Sequence, residues 1–174
     1  MVVRSLLVAL AVAVAVVTPA AAKDSPGKPP PKPPRPSVGS WAQSADAVCR
    51  TSEQELNALV SSVRSRANLS DRARVLELLD GSVRVEGRTL AQLAALQRPQ
   101  KHRGIIATTL GVIRREHAAD LALLAKLRRR WDPVLLARQL KRDRAWNAEL
   151  RLLFIGLGSE GCADYFSSAP AYAP

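Results

Sequence analysis

Four polar residues, Glu86, His117, Asp143 and Asn147, fall near the middle of three predicted helical stretches, at heptad positions where an apolar residue belongs. Helical bundles build metal and cofactor sites from inward carboxylates and imidazoles at matching heights. Glu116 and Asp120, beside His117, could add ligands from the same helix. The diiron pattern, a Glu followed three residues later by a His on two helices, is missing. A hydrogen-bonded polar layer, or rotation of these residues to the edge of the bundle, accounts for the same spacing. A metal or small-ligand site on Glu86, His117 and Asp143 is therefore the alternative expectation, and no cofactor is the leading one.

Nucleophilic chemistry finds no support. His117 lies on a core stripe, His102 stands between Lys101 and Arg103 in a charged turn, and both cysteines are expected to be oxidised. Gly156-Leu157-Gly158-Ser159-Glu160-Gly161 matches G-x-G-x-x-G formally. The dinucleotide fingerprint needs a strand before it and a helix after it; here a helix precedes and a short tail is expected to follow, so the run reads as a helix stop. Asn68-Leu69-Ser70 fits a glycosylation sequon, with Ser70 better explained as a helix cap. The expectation is a protein that is not an enzyme.

Cys49 and Cys162 are the only cysteines of the 174 residues. An even count in an exported chain is most simply one disulfide. Export is suggested by Met1 to Ala22: Arg4 precedes an apolar core, Leu6 to Val17, and Ala20 and Ala22 end it as small residues before a cut placed after Ala22. The competing reading is a retained membrane anchor, since the uncharged run is barely long enough to span. Lys23 to Ser37 is rich in Pro and carries Lys23, Lys28, Lys32 and Arg35, a composition that favours a solvated polyproline II spacer. The domain reading is a signal peptide at 1–22, a basic Pro-rich linker at 23–39, a helical bundle domain at 40–165 and a flexible tail at 166–174.

The elements that must position these residues are all helical. Ala, Leu and Arg dominate, and only seven residues are aromatic, which argues against a sandwich or barrel. A first helix is expected from Ser40, with Ser40 and Gln43 as a capping box, carrying Trp41, Ala45, Val48, Leu56, Leu59 and Val63. Ser70 caps a second with Leu76, Leu79, Val83, Leu90 and Leu93, ending before Pro99 and weakened at Gly81 and Gly87. A third runs from about Lys101 to Arg130, and a fourth opens with Asp132 as cap and Pro133 at its first position. Short connections predict an all-α, antiparallel up-down-up-down four-helix bundle. That order carries Cys49 and Cys162 to one pole.

Charge is distributed unevenly along this frame. Residues 40–97 hold seven basic and seven acidic side chains, whereas 98–151 hold fourteen and five. Lys126, Arg128, Arg129, Arg130, Arg138, Lys141, Arg142 and Arg144 flank the turn between helices three and four. In the expected topology Arg64, Arg66, Arg72 and Arg74 share that pole, opposite the disulfide. Summed charge of this kind attracts anionic polymers or membrane surfaces and weakens with salt. A solvated helix end is the plainer account, and the excess of Arg over Lys also fits a GC-rich genome. Nucleic acid is a poor partner, because no aromatic residues apart from Trp131 and Trp146 are interleaved with the cations for base stacking.

Ala45-Asp46-Ala47-Val48-Cys49, the Leu93-x-x-Leu96-x-x-Pro99 helix end and the run Gly158 to Ala163 resemble small secreted helical proteins of high-GC Gram-positive bacteria. The resemblance implies a helical fold and an extracytoplasmic location, and transfers no functional residue. Taken together, the expected protein is a non-enzymatic component of the cell envelope. Its basic pole, Arg64, Arg66, Arg72, Arg74, Lys126, Arg128, Arg129, Arg130 and Arg138, engages anionic polymer or lipid.

Overall fold

The computed structural model describes residues 36–68 and 70–167. The expected signal peptide, the linker up to residue 35 and the tail from residue 168 lie outside them. The described chain is helical: α1 Val38–Arg64, α2 Asp71–Ala95, a single 3-10 turn at Gln100–His102, α3 Arg103–Arg129, α4 Pro133–Gly156 and α5 Glu160–Ser167. No described helix is long and apolar enough to cross a membrane.

Local chemistry accounts for the boundaries. Ser37, three residues before the expected cap, starts α1: its side chain accepts from the Ser40 amide while the Ser40 hydroxyl accepts from the Ser37 amide. The reciprocal pair satisfies two otherwise orphaned donors, and Gln43 takes no part in it. Ser70 caps α2 as expected. Asp132 accepts from Val134 and Leu135 ahead of α4, with Pro133 at the first position.

Helix α2 runs unbroken through Gly81 and Gly87. A Cβ on Gly81 would stand 2.3 Å from Leu59 Cδ2, and one on Gly87 would stand 3.1 Å from His117 Cε1. The glycines admit α1 and the imidazole close to the α2 backbone, and the packing gained offsets their poor helix propensity.

Each long helix packs on the next in the chain, and α5 packs on both α4 and α1. The short helix α5 was not expected; Gly158, at φ 72°, ends α4, and Ser159 follows it. Phe166 is 5% exposed, so the packed unit extends past residue 165 where a tail was expected to begin. Two apolar clusters form the core. One gathers Trp41, Cys49, Leu93, Ile106, Leu110, Leu150, Phe154 and Cys162. The other gathers Val63, Leu79, Val83, Leu124, Leu127 and Leu136. Each fully buried Leu contributes roughly 1.5 to 3 kcal/mol of burial free energy.

The Cys49 and Cys162 sulfurs are 1.95 Å apart, at disulfide distance, at a sequence separation of 113. Asp46, one turn before Cys49, reaches the start of α5: its Oδ1 accepts from Ser159 Oγ at 2.6 Å and from the Cys162 amide at 3.1 Å. A Cβ on Gly161 would press on the Asp46 carboxylate at 3.1 Å. The Ala-Asp-Ala-Val-Cys run therefore supplies both the thiol and a carboxylate that caps the helix carrying the second thiol.

Candidate functional site

Between the two apolar clusters the helices meet through a polar layer. Glu86 comes from α2, Glu116, His117 and Asp120 from α3, and Gln139 and Asp143 from α4. Glu116 and Asp120 are four residues apart, as are Gln139 and Asp143, so each pair shares one helix face. His117 Nδ1 lies 3.2 Å from Glu86 Oε2. Gln139, fully buried, donates through Nε2 to Asp120 Oδ1 at 3.0 Å and to Asp143 Oδ1 at 2.8 Å, and its Oε1 accepts from Arg142.

The electrostatics follow from burial. Glu116 is 6% exposed, and its Oε2 has no hydrogen-bond partner. Desolvation, helped by the carboxylates of Glu86, Asp143 and Asp120, pushes its pKa up to about 9. Glu116 therefore holds a proton at neutral pH. Burial also raises Glu86, against the opposing pull of His117. The hydrogen bond to Glu86 raises His117, outweighing the opposite effect of its own desolvation.

The three alternative ligand residues thus occupy one layer, but in two hydrogen-bonded subsets. Glu86 pairs with His117, while Asp143 is held by Gln139. Among the described residues no group of three or more His, Cys, Asp or Glu side chains is arranged to hold a metal ion. Gln139 was missed by sequence reasoning; its spacing from Asp143 was the available signal. His102 sits in the 3-10 turn before α3.

The nine cations expected to form a basic pole divide into two sets. Arg66 pairs with Glu77, Arg74 with Asp71 at 3.3 Å, and Arg128 with Asp80 at 2.8 Å. Arg64, Arg72, Lys126, Arg129, Arg130 and Arg138 are exposed and make no ion pair among the described residues. Two of these, Lys126 and Arg138, line an open groove between α3 and α4 together with Leu135, Lys141, Arg142 and Ala145, with a volume of about 630 Å³. A smaller hollow of about 150 Å³ adjoins it, floored by Ala119, Ala122, Leu123 and the buried Gln139. Four of the six groove-lining residues are Lys or Arg, yet most of the lining surface is apolar. Arg142 belongs to both hollows and is the one lining cation anchored to a buried side chain.

At the end of α4, Gly156 to Gly161 lies between two helices with no strand before it, so it lacks the setting of a dinucleotide fingerprint. No protein-family model, curated protein or solved structure matches this chain.

Proposed function

We propose that the protein is an exported, non-enzymatic component of the cell envelope that engages anionic polymer or lipid through the cations of the α3–α4 region. The reading rests on one observation. Intramolecular carboxylates neutralise Arg66, Arg74 and Arg128, while Lys126, Arg129, Arg130, Arg138 and Lys141 are left without ion pairs among the described residues. Exposed cations at this density raise the local concentration of polyanions and speed encounter. Export follows from the signal-like segment at 1–22 and agrees with the disulfide-distance cysteines.

An antiparallel up-down-up-down order of α1 to α4 belongs to the same proposal. It is supported by the mixing of chain segments in the two clusters. The early part of α1 meets the late part of α2, and the end of α1 meets the early part of α2. That order gathers the cations at the end away from Cys49.

Co-sedimentation with cell-wall fragments and with vesicles containing anionic phospholipid tests the reading. Binding that falls steeply between low and physiological salt supports it. Binding that is absent, or indifferent to salt, removes it.

A further inference from the structure

The α3–α4 groove has two chemistries in one place. Its floor is apolar, formed by Leu135 and Ala145 and continued by Ala122 and Leu123 in the adjoining hollow. Its rim is cationic, with Lys126 from α3 facing Arg138, Lys141 and Arg142 from α4. A solvated helix end explains the rim but leaves open why the floor beneath it is hollow and apolar. A polymer of phosphates or sugars matches the rim and has nothing to cover Leu135 and Ala145. An anion with a hydrocarbon chain matches both.

We propose that this groove binds a single anionic phospholipid, its acyl chain along the apolar floor and its phosphate among Lys126, Arg138, Lys141 and Arg142. The proposal rests on the preceding reading for its headgroup contacts and adds a chain-binding floor that surface electrostatics does not need. Arg142 is the positioned member of the rim. Its guanidinium donates to Gln139 Oε1, and Gln139 is in turn fixed by Asp120 and Asp143. A guanidinium held in this way offers its remaining donors in a fixed direction, the arrangement that suits phosphate oxygens. Lys126, Arg138 and Lys141 are exposed and can lay their methylene stems along the chain while their charges reach the headgroup. A volume of about 630 Å³ lies within the range of ordinary small-molecule sites.

The test titrates the full chain with palmitoyl lysophosphatidylglycerol below its micelle-forming concentration, alongside glycerol 3-phosphate and the zwitterionic lysophosphatidylcholine. Saturable binding of one lysophosphatidylglycerol per protein is expected, weaker binding of the choline lipid, and no competition from glycerol 3-phosphate. Ala145→Trp fills the floor at an exposed position without changing charge and is expected to weaken binding about tenfold or more. Arg138→Gln with Lys141→Gln is expected to do the same by removing charge. Ala145→Trp binding as tightly as the parent, or full competition by glycerol 3-phosphate, overturns the groove. Vesicle co-sedimentation of the same proteins separates the two readings. Salt-sensitive vesicle binding that Ala145→Trp leaves intact, with lysolipid binding unchanged too, sinks the groove and leaves the cationic surface standing. Saturable lysolipid binding by a parent that never sediments with anionic vesicles or wall fragments sinks the surface reading instead.

Discussion

Around Cys49 the helices are tied together by several devices besides apolar packing, whereas around Leu127 apolar packing is joined by ion pairs at the surface. The first region combines the Cys49–Cys162 pairing, the Asp46 carboxylate on the start of α5, and Phe154 stacked on Phe166 with ring centroids 5.3 Å apart. The second packs Val63, Leu79, Leu124, Leu127 and Leu136 beneath a surface where Arg66, Arg74 and Arg128 find carboxylates and their neighbours do not. Exposed pairs of this kind contribute about 0 to 1 kcal/mol each. Closure is thus concentrated in one region, while exposed cations without ion pairs among the described residues occur in both, Arg50, Lys101, Arg103 and Arg151 on the segments of the first and Lys126, Arg129, Arg130 and Arg138 on those of the second. The contrast teaches that the two regions are held by different means, a cysteine pair and a helix cap in one and apolar packing in the other.

The largest expected effect comes from removing the closure. Cys49→Ser with Cys162→Ser opens a loop of 113 residues, and chain entropy sets the loss near 4 to 5 kcal/mol. Urea unfolding measures it. Amide exchange should show protection lost first in α5 and early α1, with the core around Leu127 retained; equal loss in both regions would break the comparison.

Next comes the layer between them. In the folded protein Glu116 keeps its proton up to about pH 9, against an ordinary value of 4.5 in the unfolded chain. Between those limits the native state binds the extra proton, so stability falls as pH rises, by roughly 2 to 3 kcal/mol from pH 4.5 to neutrality. The raised Glu86 acts in the same sense. So does His117, whose contribution is complete below 6.5 and lost as pH climbs through its raised folded value. Glu116→Gln should flatten most of the slope in melts taken from pH 5 to 8. A slope unchanged in the variant would show that Glu116 is not the group responsible.

Asp46→Ala is expected to cost about 1 to 2 kcal/mol, as loss of a helix cap does. Thermal melts should register it, and lysolipid binding at the distant α3–α4 groove should stay as it was. The smallest effect carries the opposite sign. Gly111 lies within α3, and a Cβ there would meet no atom within 4 Å. Gly111→Ala should therefore stabilise by up to about 1 kcal/mol, sharpening the distinction between this glycine and Gly81, whose missing Cβ makes way for Leu59.

What could be read from the sequence followed from local rules. Helix spacing, the Ser70 and Asp132 caps and the meeting of the two cysteines depend on residues close in sequence or on connection length. The α1 start was placed three residues late because Ser37 and Ser40 satisfy each other, a reciprocity that composition does not announce. Helix α5 was hidden because its cap comes from Asp46, more than a hundred residues away. The glycines of α2 looked like weak points until their neighbours Leu59 and His117 were in place. At the polar layer Glu86, His117 and Asp143 could be singled out as misfits on apolar stripes. Gln139 offered only its i, i+4 spacing from Asp143, since the contact that ties it into the layer, with Asp120, comes from another helix. The division of the cations into paired and unpaired sets was only partly within reach, because Arg74 and Asp71 are three residues apart on one helix, whereas Glu77 and Asp80 meet Arg66 and Arg128 only on folding.

The pairing of Cys49 with Cys162 also joins the first described helix of the chain to the last. During synthesis Cys49 emerges long before its partner exists, so for that interval it is a reduced thiol among folding helices. A chain cut anywhere before residue 162 keeps that thiol for good. One sulfhydryl per molecule, measured with a thiol reagent after unfolding, is therefore expected of a truncated chain, and none together with a monomeric, unmodified mass is expected of a chain whose two ends have been made and joined.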